Sequence, residues 1–483
     1  MDIETLVAAI DPEHGVRIGG QAVGTDETFA VTDPATAKTL AHVSSAGAEL
    51  AAAAVDSAAS AFTSWRSTAP RVRSEILRAA YELMISNADM LTTLICAENG
   101  KPQSDARAEV GYAAEFFRWF SEEAVRTDGS YGVSPAGAAR TVVTHRPVGV
   151  AALITPWNFP AAMATRKIAP ALAAGCTVVL KPARETPLTA LAIADILARA
   201  GVPHGVVNVV PTTNSSDIVG TWLSDERVRK VSFTGSTQVG RALLRQAADR
   251  VVNASMELGG NAPFVVSADA DIAAAVDGAM IAKFRGSGQA CTAANRFYVH
   301  AAVVDQFVEK FGGAINSLRV GPATDPGSQV GPLINARAVD TIQRLINDAV
   351  AEGANIAASA PIPDRGFFLS PTLLADVQPN AAILTEEIFG PVAPVVAWDD
   401  EDELLSQINN TEYGLAAYVY SGRLQDALRV AEQIDAGMVG VNRGVVSDPS
   451  APFGGTKQSG LGREGARIGL HEFLETQYFS IDE

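Results

Sequence analysis

The sequence predicts an α/β protein: two domains, each built on a parallel sheet of βαβ units, with a small β arm attached. Three observations carry this. Short β-branched runs, "GVAALITPW" (149–157), "CTVVLKPA" (176–183), "GVVNVVP" (205–211) and "KVSFTGS" (230–236), are separated by helical stretches such as "PLTALAIADILARA", and strands that alternate with helices make parallel sheets. The alternation resumes after residue 260 with "NAPFVVS", "RFYVH" and "GMVGVNRG", so the two domains meet near residues 257–260. Between them in texture stands the Gly- and Ser-rich segment 126–147, which ends in an alternating strand.

The elements ahead of the first strand read as helices. Stretches 46–65 and 70–100 place apolar residues at i, i+3 and i+4. The alanine-rich first stretch keeps that period and has high helix propensity, so it reads as a packed helix. Segment 126–147 together with the C-terminal "FLETQYFSID" predicts an arm that extends a neighbour's sheet and builds an oligomer.

Composition narrows the class. A chain of 483 residues with 47% hydrophobic and 19% charged residues is globular, with room for about three domain-sized units. Its net charge of −17 argues against nucleic acid or an anionic membrane as a partner. The start, "MDIETLVAAI", has no basic n-region, and no long uncharged apolar run follows; neither a signal peptide nor a membrane span is expected. Three scattered cysteines and six histidines without ligand spacing predict no disulfide scaffold and no metal, and a cytoplasmic location.

Four stretches carry candidate chemistry, each with a plain structural alternative. "GSGQACTAANR" sets Cys291 among small residues, as a nucleophile or as a buried thiol. "FTGSTQVG" has the order strand, glycine turn, helix. Gly235 permits the turn and the helix amides face outward for a pyrophosphate, but with only Gly235 and Gly240 it is also an ordinary strand-to-helix turn. Lys181 closes a parallel strand at the edge where such sheets bind ligands, or is a surface lysine. "ITPWNFP" offers Asn158 as an amide donor to an oxyanion or as a turn residue, and "MELGGNAPF" offers Glu257 as a general base or a surface acid.

Together these stretches resolve the alternatives. With "TPWNFP", "VVLKPA", "FTGST", "MELGGNAPF", "GQACTAANR", "EEIFGPV" and "PFGGTKQSGLGRE" in this order, the chain resembles the aldehyde dehydrogenase superfamily over nearly its whole length. The resemblance implies two Rossmann-type α/β domains: a dinucleotide-binding domain of 1–125 and 148–257, and a catalytic domain of 258–459. The oligomerisation arm is 126–147 with 460–483, in a homodimer or homotetramer. It makes Cys291 the nucleophile, Asn158 and the Cys291 amide the oxyanion donors, and Glu257 the base that activates water to hydrolyse a thioester. It assigns Lys181 to the adenosine ribose, Ser236 to the pyrophosphate and Glu387 to the nicotinamide ribose, with Phe389 flanking that ring. Thr155, Pro156, Trp157, Gly235, Gly240 and Leu258 complete the cofactor contacts. Position 184 separates NAD from NADP in the family, and Arg184 is a fork suited to a 2′-phosphate, so NADP is expected over NAD.

"FPAAMATRKIAPALAAGC" and "AKFRGSGQACTAANR" resemble the succinate-semialdehyde dehydrogenase branch most. There the matching positions, Arg166, Arg285 and Ser447, hold the substrate's distal carboxylate; Ser450 is an alternative register for the serine. Glutarate semialdehyde and neutral aldehydes are the rival substrates, and a non-catalytic dinucleotide-binding homologue is the rival of another class. Two departures stand out. Ala293 replaces the second cysteine that closes a redox-sensitive disulfide in several branch members, and Ala164 stands where a larger aliphatic is usual, loosening the substrate tunnel.

Overall fold

The apolar runs after residue 149 form strands buried on both faces: β1 (Val150–Ile154) and β2 (Thr177–Lys181) have no exposed position. Continuous rather than alternating burial is the mark of a parallel sheet covered by helices on both sides. With β3 (Val207–Val209), β4 (Val228–Thr234) and β5 (Asn253–Glu257) they pair in parallel in the order β5-β4-β1-β2-β3. The chain therefore winds outward from β1 in one direction, then returns to continue on the other side with β4. The crevice beyond the carboxyl ends of β1 and β4 is where an open α/β sheet binds its ligand.

The computed structural model describes residues 3–482. A second sheet repeats the plan, with β6 (Ala262–Val266) and β7 (Ala294–His300) pairing in parallel, β8 (Val392–Trp398) beside β7, and β9 (Ala416–Tyr420) and β10 (Met438–Val441) on the other flank. The two sheets are joined by the short turn between Glu257 and Ala262, so the end of β5 faces the second domain. The third sheet is antiparallel: Leu474–Ile481 pairs along Arg140–Pro147, which also pairs with Ser130–Val133.

Two boundaries differ from the sequence reading. Residues 460–483 were expected to lie wholly in the arm, but Gly460–Leu461 adds an antiparallel strand to the edge of the first sheet beside β5. The approach is so close that a Cβ at Gly460 would strike the Met256 carbonyl. The helix expected over 70–100 is two helices, Pro70–Ser86 and Ala88–Asn99. The Asn87 amide group donates to the Leu83 carbonyl at 2.7 Å and bends the chain there.

Three helices position the site. α1 (Gln103–Glu123) lies across α2 (Pro160–Ala174), which follows β1 and is buried at every residue; α3 (Pro187–Arg199) follows β2. A helix buried all round and carrying Arg166 and Lys167 must find a partner for each charge inside the protein. The start of α3 is capped by a distant acid: the amides of Leu188 and Thr189 donate to the buried Glu98 carboxyl at 2.7 and 2.9 Å. Replacing Glu98 with Ala strands both donors, and the expected loss is about 1–3 kcal/mol of stability, measured as a lower urea midpoint with the denaturant slope unchanged.

Candidate active site

The carboxyl end of β1 delivers Thr155, Pro156, Trp157 and Asn158 in sequence. Asn158 is buried; its side-chain amide donates to the Gln289 carbonyl at 3.0 Å. An Asn NH₂ has two hydrogens, so one stays free for an oxyanion. Its backbone is held from behind. The Lys101 ammonium donates to the Asn158 carbonyl at 2.8 Å, lies 3.8 Å from the Phe159 ring centre and pairs with Glu109. Glu109 in turn accepts from the amides of Ala161 and Ala162 at 2.9 and 3.3 Å, capping α2. A buried carboxylate at a helix start is stabilised by exposed amides and the helix dipole.

Cys291 sits behind a constrained loop. Gly286, Ser287 and Gly288 all have positive φ, at 60°, 58° and 74°. Ser287 tolerates the left-handed conformation because its hydroxyl is tied twice to Gly331, donating to the carbonyl at 3.1 Å and accepting from the amide at 2.9 Å. At Gly288 a side chain would strike the Gly390 carbonyl. Gln289 locks the next turn, accepting from the Ile334 amide at 2.9 Å and donating to the Pro332 carbonyl at 3.3 Å. Burial, reinforced by the acids Glu387 and Glu257 and opposed by Arg166, pushes the Cys291 thiol up to about 12.

Glu257 closes β5. It is buried, and one carboxyl oxygen has no hydrogen-bond partner among the described residues. Burial first, then the Glu464 carboxylate, raise its affinity for a proton well above the usual carboxylate range, against the pull of Arg166 and Lys167. An acid with raised proton affinity is a better proton acceptor when ionised than an ordinary surface carboxylate. Glu387 accepts from the Gly260 amide at 3.1 Å, and burial lifts its carboxyl to about 7.

Asn158, Cys291 and Glu387 line a cavity of about 230 Å³, whose walls also include Pro156, Trp157, Gly235, Ser236, Leu258 and Phe389. Nine residues singled out from the sequence thus meet in one space. The glycines of its wall have no room for a side chain: a Cβ at Gly235 would press on the Phe233 ring, and one at Gly259 would stand 2.8 Å from the Glu387 carboxyl. A flat-walled slot of this kind, with Ser236 capping α4 (Thr237–Ala248) at one side and the Trp157 and Phe389 rings 5.5 Å apart at the other, fits the nicotinamide half of a dinucleotide.

Thr155, Lys181, Arg184 and Gly240 lie outside that wall. Thr155 donates its amide to the Lys181 carbonyl at 3.2 Å, linking β1 to β2. The Lys181 ammonium is buried, donates to the Pro182 carbonyl at 2.9 Å and is lowered by burial to about 8. Gly240 is a packing residue, since a Cβ there would strike Leu258. Arg184 is 64% exposed, pairs with Glu185 at 3.1 Å and borders a separate cavity of about 240 Å³ with Thr213.

The structure brings the expected substrate residues together around a side chain that the sequence did not mark. Arg166, only 1% exposed, faces Glu464 through Nε at 3.2 Å and donates from Nη2 to the Tyr112 hydroxyl at 3.0 Å. Its guanidinium lies 4.0 Å from the Phe453 ring centre. Arg285 and Ser447 lie near the same Tyr112 hydroxyl, Arg285 within reach of its charge and Ser447 beside the oxygen. Ser450 instead folds back on Asp448 at 2.6 Å. Lys101, Glu109, Tyr112 and Glu464 escaped the sequence reading. The available signal was α1's own period: Glu109 and Tyr112 stand three apart, on one face.

The fold and the residues gathered around this cavity are those of an α/β enzyme. A family model described as the aldehyde dehydrogenase family matches residues 22–479, and the chain belongs to that family. It is 55% identical to a succinate-semialdehyde dehydrogenase of Paenarthrobacter nicotinovorans, over 92% of this chain and 98% of that one. It is 47% identical to an NADP(+) succinate-semialdehyde dehydrogenase of Escherichia coli over 94% of each chain. A glutarate-semialdehyde dehydrogenase of Pseudomonas putida is 45% identical over 96% of this chain and 97% of its own. Among solved structures, an NADP-dependent enzyme of E. coli superposes with a TM-score of 0.96 at 44% identity, covering 99% of both chains. An aldehyde dehydrogenase of Bacillus cereus in complex with NAD+ gives 0.95 at 33% identity, over 99% and 98%.

The raised thiol yields a prediction. Only the thiolate is alkylated, so without cofactor the rate of Cys291 modification by iodoacetamide should climb about tenfold per pH unit from pH 7 to 9, without a plateau. A plateau near pH 8 in mass-spectrometric labelling would contradict the burial effect.

Proposed function

We propose that the chain oxidises succinate semialdehyde to succinate, with NADP preferred over NAD. The observation that supports this reading is the convergence of Arg166, Arg285 and Ser447 around the Tyr112 hydroxyl, with Arg166 near enough to Cys291 for its charge to act on the thiol. A buried Arg166 and a half-buried Arg285 turned to one hydroxyl suit a substrate that brings its own carboxylate. The proposed cofactor domain is 1–125 with 148–257, the catalytic domain 258–459. The arm strands, with Tyr131, Tyr478 and Phe479 exposed, would join copies into a dimer or tetramer. No described helix is long and apolar enough to cross a membrane; we place the enzyme in the cytoplasm on its thiol chemistry and its NADP-linked relatives.

In this reading Cys291 adds to the aldehyde carbon and gives a thiohemiacetal. The Asn158 amide and the Cys291 backbone N–H hold the oxygen; one such donor is worth about 10²–10³ in rate. When bound, the nicotinamide supplies the hydride acceptor that turns this adduct into a thioester. Ser236 and Lys181 would hold the dinucleotide's phosphate and ribose and Glu387 the second ribose, while Arg184 would meet a 2′-phosphate on leaving Glu185. Glu257 then takes a proton from water, which attacks the thioester and frees the acid and the thiol. Glutarate semialdehyde is the second reading, supported by the P. putida relative; one methylene discriminates by only about 1–3 kcal/mol.

Initial rates with succinate semialdehyde test the proposal. We expect faster turnover with NADP than with NAD, and none in Cys291→Ser. Arg184→Glu should reverse the cofactor order. Glu257→Gln should release about one equivalent of reduced cofactor and then stall with an acyl group on Cys291, detectable by mass. A neutral aldehyde turned over faster than the semialdehyde would sink the substrate assignment.

A further inference from the structure

We propose that the Tyr112 hydroxyl is a specificity-determining group that donates a hydrogen bond to the substrate's distal carboxylate. This rests on the reading of Arg166, Arg285 and Ser447 as the carboxylate's binding residues. No sequence motif drew attention to Tyr112; its position does.

Arg166 alone is an incomplete anion site. Its Nε faces Glu464 at 3.2 Å, Nη2 spends one hydrogen on Tyr112, and Nη1 has only the soft Met163 sulfur at 3.8 Å. The Glu464 carboxylate also cancels part of its charge. A substrate carboxylate entering here has up to four acceptor sites to satisfy, so a further donor is needed. A phenol supplies it without adding another buried charge. Because the Tyr112 oxygen accepts from Arg166, its own hydrogen points away from Arg166, to the side where Ser447 lies and where a substrate carboxylate held by Ser447 would accept it. Burial pushes the phenol's proton affinity up, so that hydrogen is retained at working pH.

The ring is held rigidly. It meets Phe116 edge-on at 5.1 Å, and Phe116 lies 5.2 Å from the Arg166 guanidinium. On the same face of α1, Asp105 accepts from the Gly286 amide at 2.7 Å, next to Arg285, and Glu109 caps the helix that carries Arg166. Residues 105, 109, 112 and 116 follow one helical stripe. One rigid helix thus sets the phenol and both arginines at fixed spacing from the thiol, which is what measuring the length of a substrate requires.

The experiment is Tyr112→Phe, assayed with succinate semialdehyde and with butanal, its neutral counterpart of equal chain length. The expected result is a ten- to hundredfold fall in the ratio of kcat/KM for the semialdehyde over that for butanal, from the loss of a hydrogen bond to a charged group. The change should reside in KM for the semialdehyde. Succinate binding to the cofactor-free protein, measured by calorimetry, should weaken by a similar factor. An unchanged ratio with unchanged succinate affinity overturns the proposal, as does an equal loss on both aldehydes, which marks a structural role. Arg285→Gln is the control for the underlying reading. If it raises the semialdehyde KM and Tyr112→Phe does not, the tyrosine assignment alone falls; if Arg285→Gln has no effect, both fall.

Discussion

The site depends on how charge is carried inside α2. Every residue of this helix is buried, yet it bears Arg166 and Lys167 side by side. Both turn to Glu464, a residue almost three hundred positions later in the chain, and Lys167 also donates to the Ser232 hydroxyl at 3.0 Å. Removing one partner from a buried ion cluster leaves an uncompensated charge, at a cost of about 3–5 kcal/mol. The C-terminal segment is therefore clamped over the junction of the two domains by electrostatics as much as by packing, and Glu257 lies within the same field.

That field explains why one chamber can hold a thiol, a base and an anion site. Arg166 pulls on the Cys291 thiol and on Glu257, while Glu464 and Glu387 push the other way. Burial and the neighbouring acids outweigh the pull of Arg166, so both the thiol and the Glu257 carboxyl are shifted toward their neutral forms. Such interactions are strong because the space is of low dielectric.

Backbone geometry supplies the remaining precision. The loop before Cys291 runs through three consecutive left-handed residues, one of them a serine anchored to Gly331 on both sides. Strain of this sort persists only where surrounding contacts over-determine it. The Lys101–Glu109 pair performs the parallel task for Asn158, tying its carbonyl and the start of α2 to one buried cluster. Asn158 and Cys291 are thus fixed through separate sets of contacts, the one by Lys101 and Glu109, the other by Ser287 and Gln289.

The sequence by itself determined the α/β alternation, the positions of Asn158 and Gly235 where a strand stops, and Cys291 as the thiol to watch. These are local signals: a β-branched run, a turn, a residue type at the point where a strand stops. What only the tertiary structure decided is which side chains answer one another across long separations. Glu109 reads in the sequence as one more acid on an amphipathic helix, and Tyr112 as one more half-buried aromatic. Their meaning comes from Lys101 and Arg166, brought to them by the packing of α1 on α2. Ser450 likewise reads as a candidate equal to Ser447 until its loop is seen to fold back on Asp448. Periodicity reports the face a residue lies on, but the partner on the facing element is set by how two surfaces close, which no local pattern encodes.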